Sequence, residues 1–232
     1  MIKRLVLLPG MHGTGELFSE FMKMIPGQDR IEALHYPTGV SPSCSQLQEA
    51  VAVTVPESDP YVLLAESFST PLAIQFAATN PTNLRGLILC AGFATSPIHG
   101  WLKLVASLIA PLAFHLPLPK IAVAHFLVGP DAPESLHSAV RATIRSVKSA
   151  VLSARLRQIL AVDARLELNK VSVPILFIQA QQDRLVGPSC LEEIVGIKPQ
   201  IKVAKIRGPH LILQREPQQS ADIVTRFINS LP

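Results

Sequence analysis

Along this chain, short and nearly continuous apolar runs alternate with longer stretches whose apolar residues recur every three or four positions. The runs are "RLVLLPG" (Arg4 to Gly10), "IEALHYP" (Ile31 to Pro37), "YVLLAES" (Tyr61 to Ser67) and "LRGLILCAG" (Leu84 to Gly92), then "VPILFIQA" (Val173 to Ala180) and "IKVAKIRG" (Ile201 to Gly208). Runs of Val, Ile and Leu without polar alternation suit strands covered on both faces, and their alternation with helical patterns predicts right-handed βαβ units. The fold class is therefore α/β, with a mostly parallel central sheet of about six strands flanked by helices. "PLAIQFAATNP" has Pro71 placed for a first helical turn and must stop before Pro81. "SADIVTRFINSL" predicts a closing helix. The rhythm breaks between about Thr95 and Lys170, where no strand-like run occurs. A proline-punctuated apolar part is followed there by a long helical pattern from Ser135 to Asp163. Without repeats or a linker, residues 1–232 read as one domain, with residues 95–165 or so inserted as a helical lid over the strand ends.

Composition narrows the function classes. Hydrophobic residues make up 48% and charged residues 16%, so a packed core rather than a disordered chain is expected. A net charge of +4 suits an acidic partner or anionic substrate. With aromatics at 5% and no Lys/Arg run, nucleic-acid binding is not expected. Cys44, Cys90 and Cys190 have no metal-type spacing and read as free thiols in a reducing compartment. No cofactor or metal is expected. The start "MIKRLVLLPGMHG" mimics a secretory leader, but its apolar run is short and ends in a Gly-rich turn. Leu104 to Pro119 is uncharged but broken by Pro111 and Pro117, and shorter than the ~20 residues of a spanning helix. A soluble cytoplasmic protein without stable membrane insertion is expected.

The candidate chemistry begins at Ser67, which follows a strand-like run and precedes a helical one, the context of a nucleophile elbow. Strand and helix backbones pass close together in such a turn, so the residues two before and two after must be small. Ala65 and Ser69 meet that demand where glycines are usual. Ser69 is the poorer nucleophile candidate, because Pro71 would fall at its close-approach position. On this pentapeptide alone, a helix-capping serine remains an equal reading. Partners change the balance. A serine hydroxyl needs a base, and the base an orienting acid. Asp183, in "QAQQDRLV", and His210, in "IRGPHLIL", each follow a strand in the order serine, acid, histidine, at strand ends where open sheets build their sites. Backbone donors for an oxyanion are expected at Phe68, after the serine, and at Met11, in the glycine-bearing loop after the first strand. A phosphate loop is the competing reading of that loop, but the lysine and hydroxyl it requires are absent.

Together, "LLPGMHGTG", "AESFS", "QQDRLV" and "GPH" resemble the α/β-hydrolase superfamily over nearly the whole chain. The first is similar to the oxyanion loop of a subgroup of small members, which commonly have an acid where this chain has His12. The resemblance implies Ser67 as nucleophile, Asp183 as orienting acid, His210 as general base, and a lid after "LILCAGFA". The chain departs from the family in lacking both elbow glycines, in placing Pro209 before the histidine, and in having no counterpart of the family's first two strands. The apolar lid, with Trp101, Leu112 and Phe114 as candidate substrate contacts, favours hydrolysis of a carboxylic ester with an apolar acyl part. Thioester hydrolysis uses the same chemistry and is an alternative. A non-catalytic small-molecule receptor that keeps the pocket is the reading from another class. If the segment from Ser135 is one helix, Arg141, Arg145 and Lys148 share a stripe, with Arg155 nearby. A solvated basic face accounts for this pattern. The sharper reading is docking of an acyl carrier protein, a feature of esterases that cleave the methyl ester of pimeloyl-carrier protein in biotin synthesis, which this chain resembles in that respect.

Overall fold

A computed structural model gives the architecture; it describes residues 4–27, 30–114 and 119–232, without the side chains of 107 and 109–113. Six strands, β1 (Arg4–Leu8), β2 (Ile31–Ala33), β3 (Tyr61–Glu66), β4 (Leu84–Cys90), β5 (Ile175–Ala180) and β6 (Lys202–Ile206), form one sheet in the order β2-β1-β3-β4-β5-β6. Every strand pairing in it is parallel. The chain steps outward from β1 to β2 and then returns to the other side of β1 with β3. That reversal creates a crevice at the C-terminal ends of β1 and β3, the place where open α/β sheets take their ligands.

The apolar runs form strands because helices cover both faces of the sheet. Val6, Leu8, Leu63, Ala65, Leu87 and Leu89 point to one face, joined there by residues of α2 (Cys44–Thr54), α3 (Thr70–Ala77), α8 (Arg165–Lys170) and α9 (Pro188–Ile197). Leu5, Leu7, Val62, Leu64, Ile88 and Cys90 alternate with them and pack against α1 (Ser19–Met24) and α11 (Pro217–Asn229). All six residues of β3 are buried, as an interior parallel strand requires.

Between β4 and β5 the chain builds α4 (Gly100–Ala113), α5 (Lys120–Val123), α6 (Glu134–Arg145) and α7 (Ser149–Ala161). Thr95 and Asp163 pair in an antiparallel bridge at the base of this segment. A short π-helical turn over Ala124–Val128 ends at Gly129, whose φ is +89°. A separate apolar cluster of Val123, Val128 and Val140 seats these helices on Leu17 and Leu211 of the strand-end loops. After β6, the short helix α10 (Ile212–Arg215) leads into α11.

Two expectations are corrected here. The pattern from Ser135 to Asp163 is two helices. Lys148 is extended (φ −59°, ψ 136°) and caps α7, and its N–H bonds the Thr38 carbonyl instead of continuing a helix. The stripe joining Arg141, Arg145 and Lys148 on one helix therefore does not exist. The second strand also stops at Ala33, because the N–H of Tyr36 turns to the Gly13 carbonyl. No helix among the described residues is long and apolar enough to cross a membrane.

Candidate active site

Ser67 stands at the break between β3 and a 3-10 turn, Ser67–Ser69, that feeds α3. Its φ is +49°, a left-handed conformation that costs a non-glycine residue ~1–2 kcal/mol and persists only where the surroundings impose it. The Thr70 hydroxyl holds the turn by donating to the Ser67 carbonyl (2.8 Å) and accepting the Phe93 N–H (3.1 Å). Ser69, in the usual glycine position, is completely buried. Its hydroxyl donates to the Pro9 carbonyl, which leaves the Tyr36 hydroxyl to donate to Ser69 Oγ at 2.7 Å. Ser69 thus ties the elbow to the loop after β1, a role its sequence position did not signal.

That loop places Met11 beside the crevice. Phe68 lies at the start of a helical run, where N–H groups have no intrahelical acceptor. Gly13 has φ +77°, and a Cβ there would fall 2.3 Å from Nη1 of Arg155. Arg155 reaches into this loop from α7, donating to the Met11 and Pro37 carbonyls at 2.8 Å each and lying 5.6 Å from the centre of the Tyr36 ring. It is 0% exposed. Burial pushes its guanidinium down to about 10, against an opposing effect of Tyr36, so it is still a cation at neutral pH. The expectation that Arg155 belongs to a docking surface is thereby corrected, since the side chain is inside, bracing a loop. The sequence did hold the signal. Arg155 is four positions from Val151 and three from Leu152, both buried, and so shares their inward stripe.

Asp183 follows β5, and His210 follows β6 after Gly208 and Pro209. One Asp183 oxygen accepts the N–H groups of Leu185 (2.8 Å) and Val186 (3.0 Å). The other is 2.7 Å from Nδ1 of His210, whose Nε2 is 2.9 Å from Ser67 Oγ. An ionised carboxylate can only accept, so Nδ1 carries the ring proton and Nε2 presents its lone pair to the serine hydroxyl. The Asp183 and His210 side chains are 3% and 6% exposed. Burial alone would push the His210 imidazole down, but the Asp183 charge and hydrogen bond, with a further contribution from Glu66, raise it above its ordinary value. The three residues named from their order in the chain are thus linked in one hydrogen-bonded line.

Above Ser67 lies a cavity of about 630 Å³, within the range of small-molecule sites. Its walls are mostly apolar, with Phe93, Ile98, Phe114, Ile144, Leu152 and Leu185 among them; Met11, Ser67 and His210 also line it. Phe114, one of the candidate substrate contacts, lines this cavity. Trp101 does not. It is 73% exposed at the start of α4 and outside the cavity walls, because that end of α4 projects its apolar side chains to solvent. The side chain of Leu112 lies outside the described residues. Arg141 is half-buried, whereas Arg145 and Lys148 are exposed, and Arg145 also lines the cavity. No group of histidine, cysteine or carboxylate side chains that could hold a metal occurs among the described residues.

Comparison with known proteins agrees with this architecture. Residues 43–205 match the family model Hydrolase_4, described as serine aminopeptidase, S33. The chain is 27% identical over 242 residues to the biotin biosynthesis bifunctional protein BioHC of Cellvibrio japonicus, an alignment covering 96% of this chain and 45% of that protein. It therefore spans under half the length of this relative. Among solved structures, a hydrolase from Oleispira antarctica is similar with a TM-score of 0.81 at 11% identity, over 99% of this chain and 92% of that one. The enol-lactonase of Burkholderia xenovorans LB400 is similar with a TM-score of 0.75 at 16% identity, over 99% and 92%. Such identities speak for the fold alone. With the family model spanning most of the parallel sheet and the elbow at Ser67, the chain belongs to the serine aminopeptidase S33 family of the α/β-hydrolase superfamily.

Proposed function

We propose that this protein is a serine hydrolase of carboxylic esters with an apolar acyl part. The observation that carries the reading is the Ser67–His210–Asp183 hydrogen-bonded line at the floor of an apolar cavity. Ser67 Oγ attacks the ester carbonyl carbon while His210 Nε2 takes the hydroxyl proton. The carbonyl π electrons move to oxygen, and the Met11 and Phe68 N–H groups stabilise that oxyanion. The oxyanion collapses, the C–O bond to the alcohol breaks, and His210 returns its proton to the leaving oxygen. Water, deprotonated by His210, then attacks the acyl-enzyme and releases the acid and free Ser67. Asp183 holds the ring and favours its cationic state in both steps. The helices between β4 and β5 act as the lid that keeps water from the acyl chain.

No carboxylate lines the cavity among the described residues, so an apolar acyl group is a better fit than a peptide's terminal ammonium. The test is hydrolysis of p-nitrophenyl butyrate by wild type and Ser67→Ala, with a fluorophosphonate probe reporting the nucleophile. Turnover and labelling by wild type, both lost in the variant, are expected. An inactive wild type, as a hydrolase-fold receptor would give, or an active variant would overturn the reading.

A second reading is favoured by the likeness to BioHC and by Arg145, which is exposed and lines the cavity. In it, the ester is carried by an acidic acyl carrier protein, and Arg145 with Lys148 meets the carrier at the mouth. Arg145→Glu is then expected to lower kcat/KM for a carrier-bound methyl ester far more than for p-nitrophenyl butyrate. Equal losses would sink it. Thioesters react by the same steps, and the ratio of rates on matched butyryl esters and thioesters separates the two.

A further inference from the structure

Two buried polar side chains beside the site have no part in the acyl transfer above. Glu66, the last residue of β3, is 0% exposed, and neither carboxylate oxygen has a hydrogen-bond partner among the described residues. His12, in the loop after β1, is buried except where it lines the cavity, and its Nε2 is likewise unpartnered. The two groups face each other, with Nε2 of His12 3.9 Å from Oε2 of Glu66. A Cβ built on Gly10 would be 3.4 Å from that oxygen and 3.7 Å from that nitrogen, so both lie over one side of the residue preceding Met11. The other ring nitrogen is engaged, since Nδ1 of His12 accepts the Thr14 N–H at 3.2 Å. The neutral ring therefore carries its proton on Nε2, toward the carboxylate. A buried carboxylate without a donor is strongly disfavoured, and the His12 imidazole N–H faces it at 3.9 Å.

We propose that Glu66 and His12 are a buried carboxylate–imidazole pair that positions the two halves of the oxyanion hole against each other. Glu66 immediately precedes Ser67, whose turn presents the Phe68 N–H; His12 immediately follows Met11. The pair thus joins the two backbone segments whose donors must converge on one oxygen. Closing the gap by about 1 Å makes it a hydrogen bond, with His12 Nε2 donating. Arg155, on the Met11 carbonyl, and Ser69, on the Pro9 carbonyl, hold the same loop from other sides. Around the carboxylate are Cys90, its register partner on β4, His12, and His210, with Asp183 acting on both Cys90 and His210. Glu66 helps to raise the His210 imidazole, which favours the imidazolium formed during attack.

The inference rests on Ser67 being the nucleophile. It is tested with Glu66→Gln, His12→Gln and the double variant, through kcat, KM and the pH profile on p-nitrophenyl butyrate, and through inhibition by butylboronic acid. Each single change is expected to lower kcat about tenfold, less than outright loss of an oxyanion donor. KM should be little changed, and the boronic acid, whose tetrahedral adduct mimics the intermediate, should bind more weakly. The double variant should be no worse than the poorer single one, and Glu66→Gln should move the acidic limb of kcat to lower pH. Unchanged kcat in either single variant, or losses that multiply in the double, overturns the pairing. Lower thermal stability with kcat and pH profile intact also overturns it, since that marks a merely structural role. Should the Glu66→Gln substitution prevent folding, Glu66→Asp, which retracts the charge by one methylene, takes its place with the same expected losses. An inactive wild type would defeat the hydrolase reading and this inference together; an active wild type matched by its variants defeats the pairing alone.

Discussion

Replacing Arg155 by methionine separates a buried brace from a docking residue. The substitution keeps an unbranched, apolar stem but deletes both donors to the Met11 and Pro37 carbonyls. Two carbonyls left without a donor cost ~1–3 kcal/mol each, or about 2–6 kcal/mol together. Part of this is offset, because the variant no longer buries a charge whose Nε has no hydrogen-bond partner. The net loss is about 2–4 kcal/mol, a large share of the stability of a typical domain. For a chain of this size it corresponds to a fall in Tm of about 4–16 °C. Differential scanning calorimetry on wild type and Arg155→Met reads the shift directly. Activity on p-nitrophenyl butyrate should fall with it, mostly in kcat, because the loop that carries the proposed Met11 donor loses its anchor. Arg155→Lys should recover only part of either loss, since one ammonium does not reproduce the fork that spans two carbonyls. A methionine variant that melts with wild type and turns over at the same rate would refute the brace.

Three further outcomes are expected. Gly13→Ala should be destabilising by ~1–2 kcal/mol from its left-handed φ alone, and by more because Cβ would meet the Arg155 guanidinium; chemical denaturation measures the sum. Asp183→Asn should reduce kcat by ~10⁴, as loss of the orienting acid does in serine hydrolases, and should lower the apparent pKa of the acidic limb, because the charge that raises His210 is gone. In wild type, the raised His210 value sets opposite slopes for stability and activity. The stabilisation of the protonated ring is fully present below the ordinary imidazole value and is lost as pH rises through the folded value, while the neutral base that the proposed mechanism requires appears over that same window. Parallel pH titrations of Tm and of kcat/KM should show these opposite trends in that window, and Asp183→Asn should remove the first.

The strand pattern and the order of three chemical residues were legible in the sequence for a simple reason. Parallel strands buried on both faces must be continuous apolar runs, and a site at their C-terminal ends places its side chains just after those runs. Ser67, Asp183 and His210 each obey that rule, which is why local reading found them although both elbow glycines are absent. The small residues at 65 and 69 were legible as a steric allowance, but the work of Ser69 as a tether to Pro9 and Tyr36 was not, since its partners lie 60 and 33 residues away.

Where helical pattern meets tertiary contact, the sequence decided less. A periodic stretch from Ser135 to Asp163 suggests one helix, and the chain breaks where the Lys148 N–H turns to the Thr38 carbonyl. Charge likewise does not determine exposure. Arg145 and Arg155 look equivalent in a basic segment, yet one reaches solvent and the other is sealed inside, where two loop carbonyls accept from its Nη1 and Nη2. Trp101 and Phe114 look equivalent in an apolar one, yet only Phe114 lines the cavity, since the start of α4 turns Trp101 to solvent. Glu66 and His12 are the clearest case. Fifty-four positions of chain separate them, and neither letter suggests the other. Local apolar pattern is enough to set which strands form and which residues stand at their ends. The tertiary structure, by bringing the loop after β1 against the end of β3, decided which of those residues face one another.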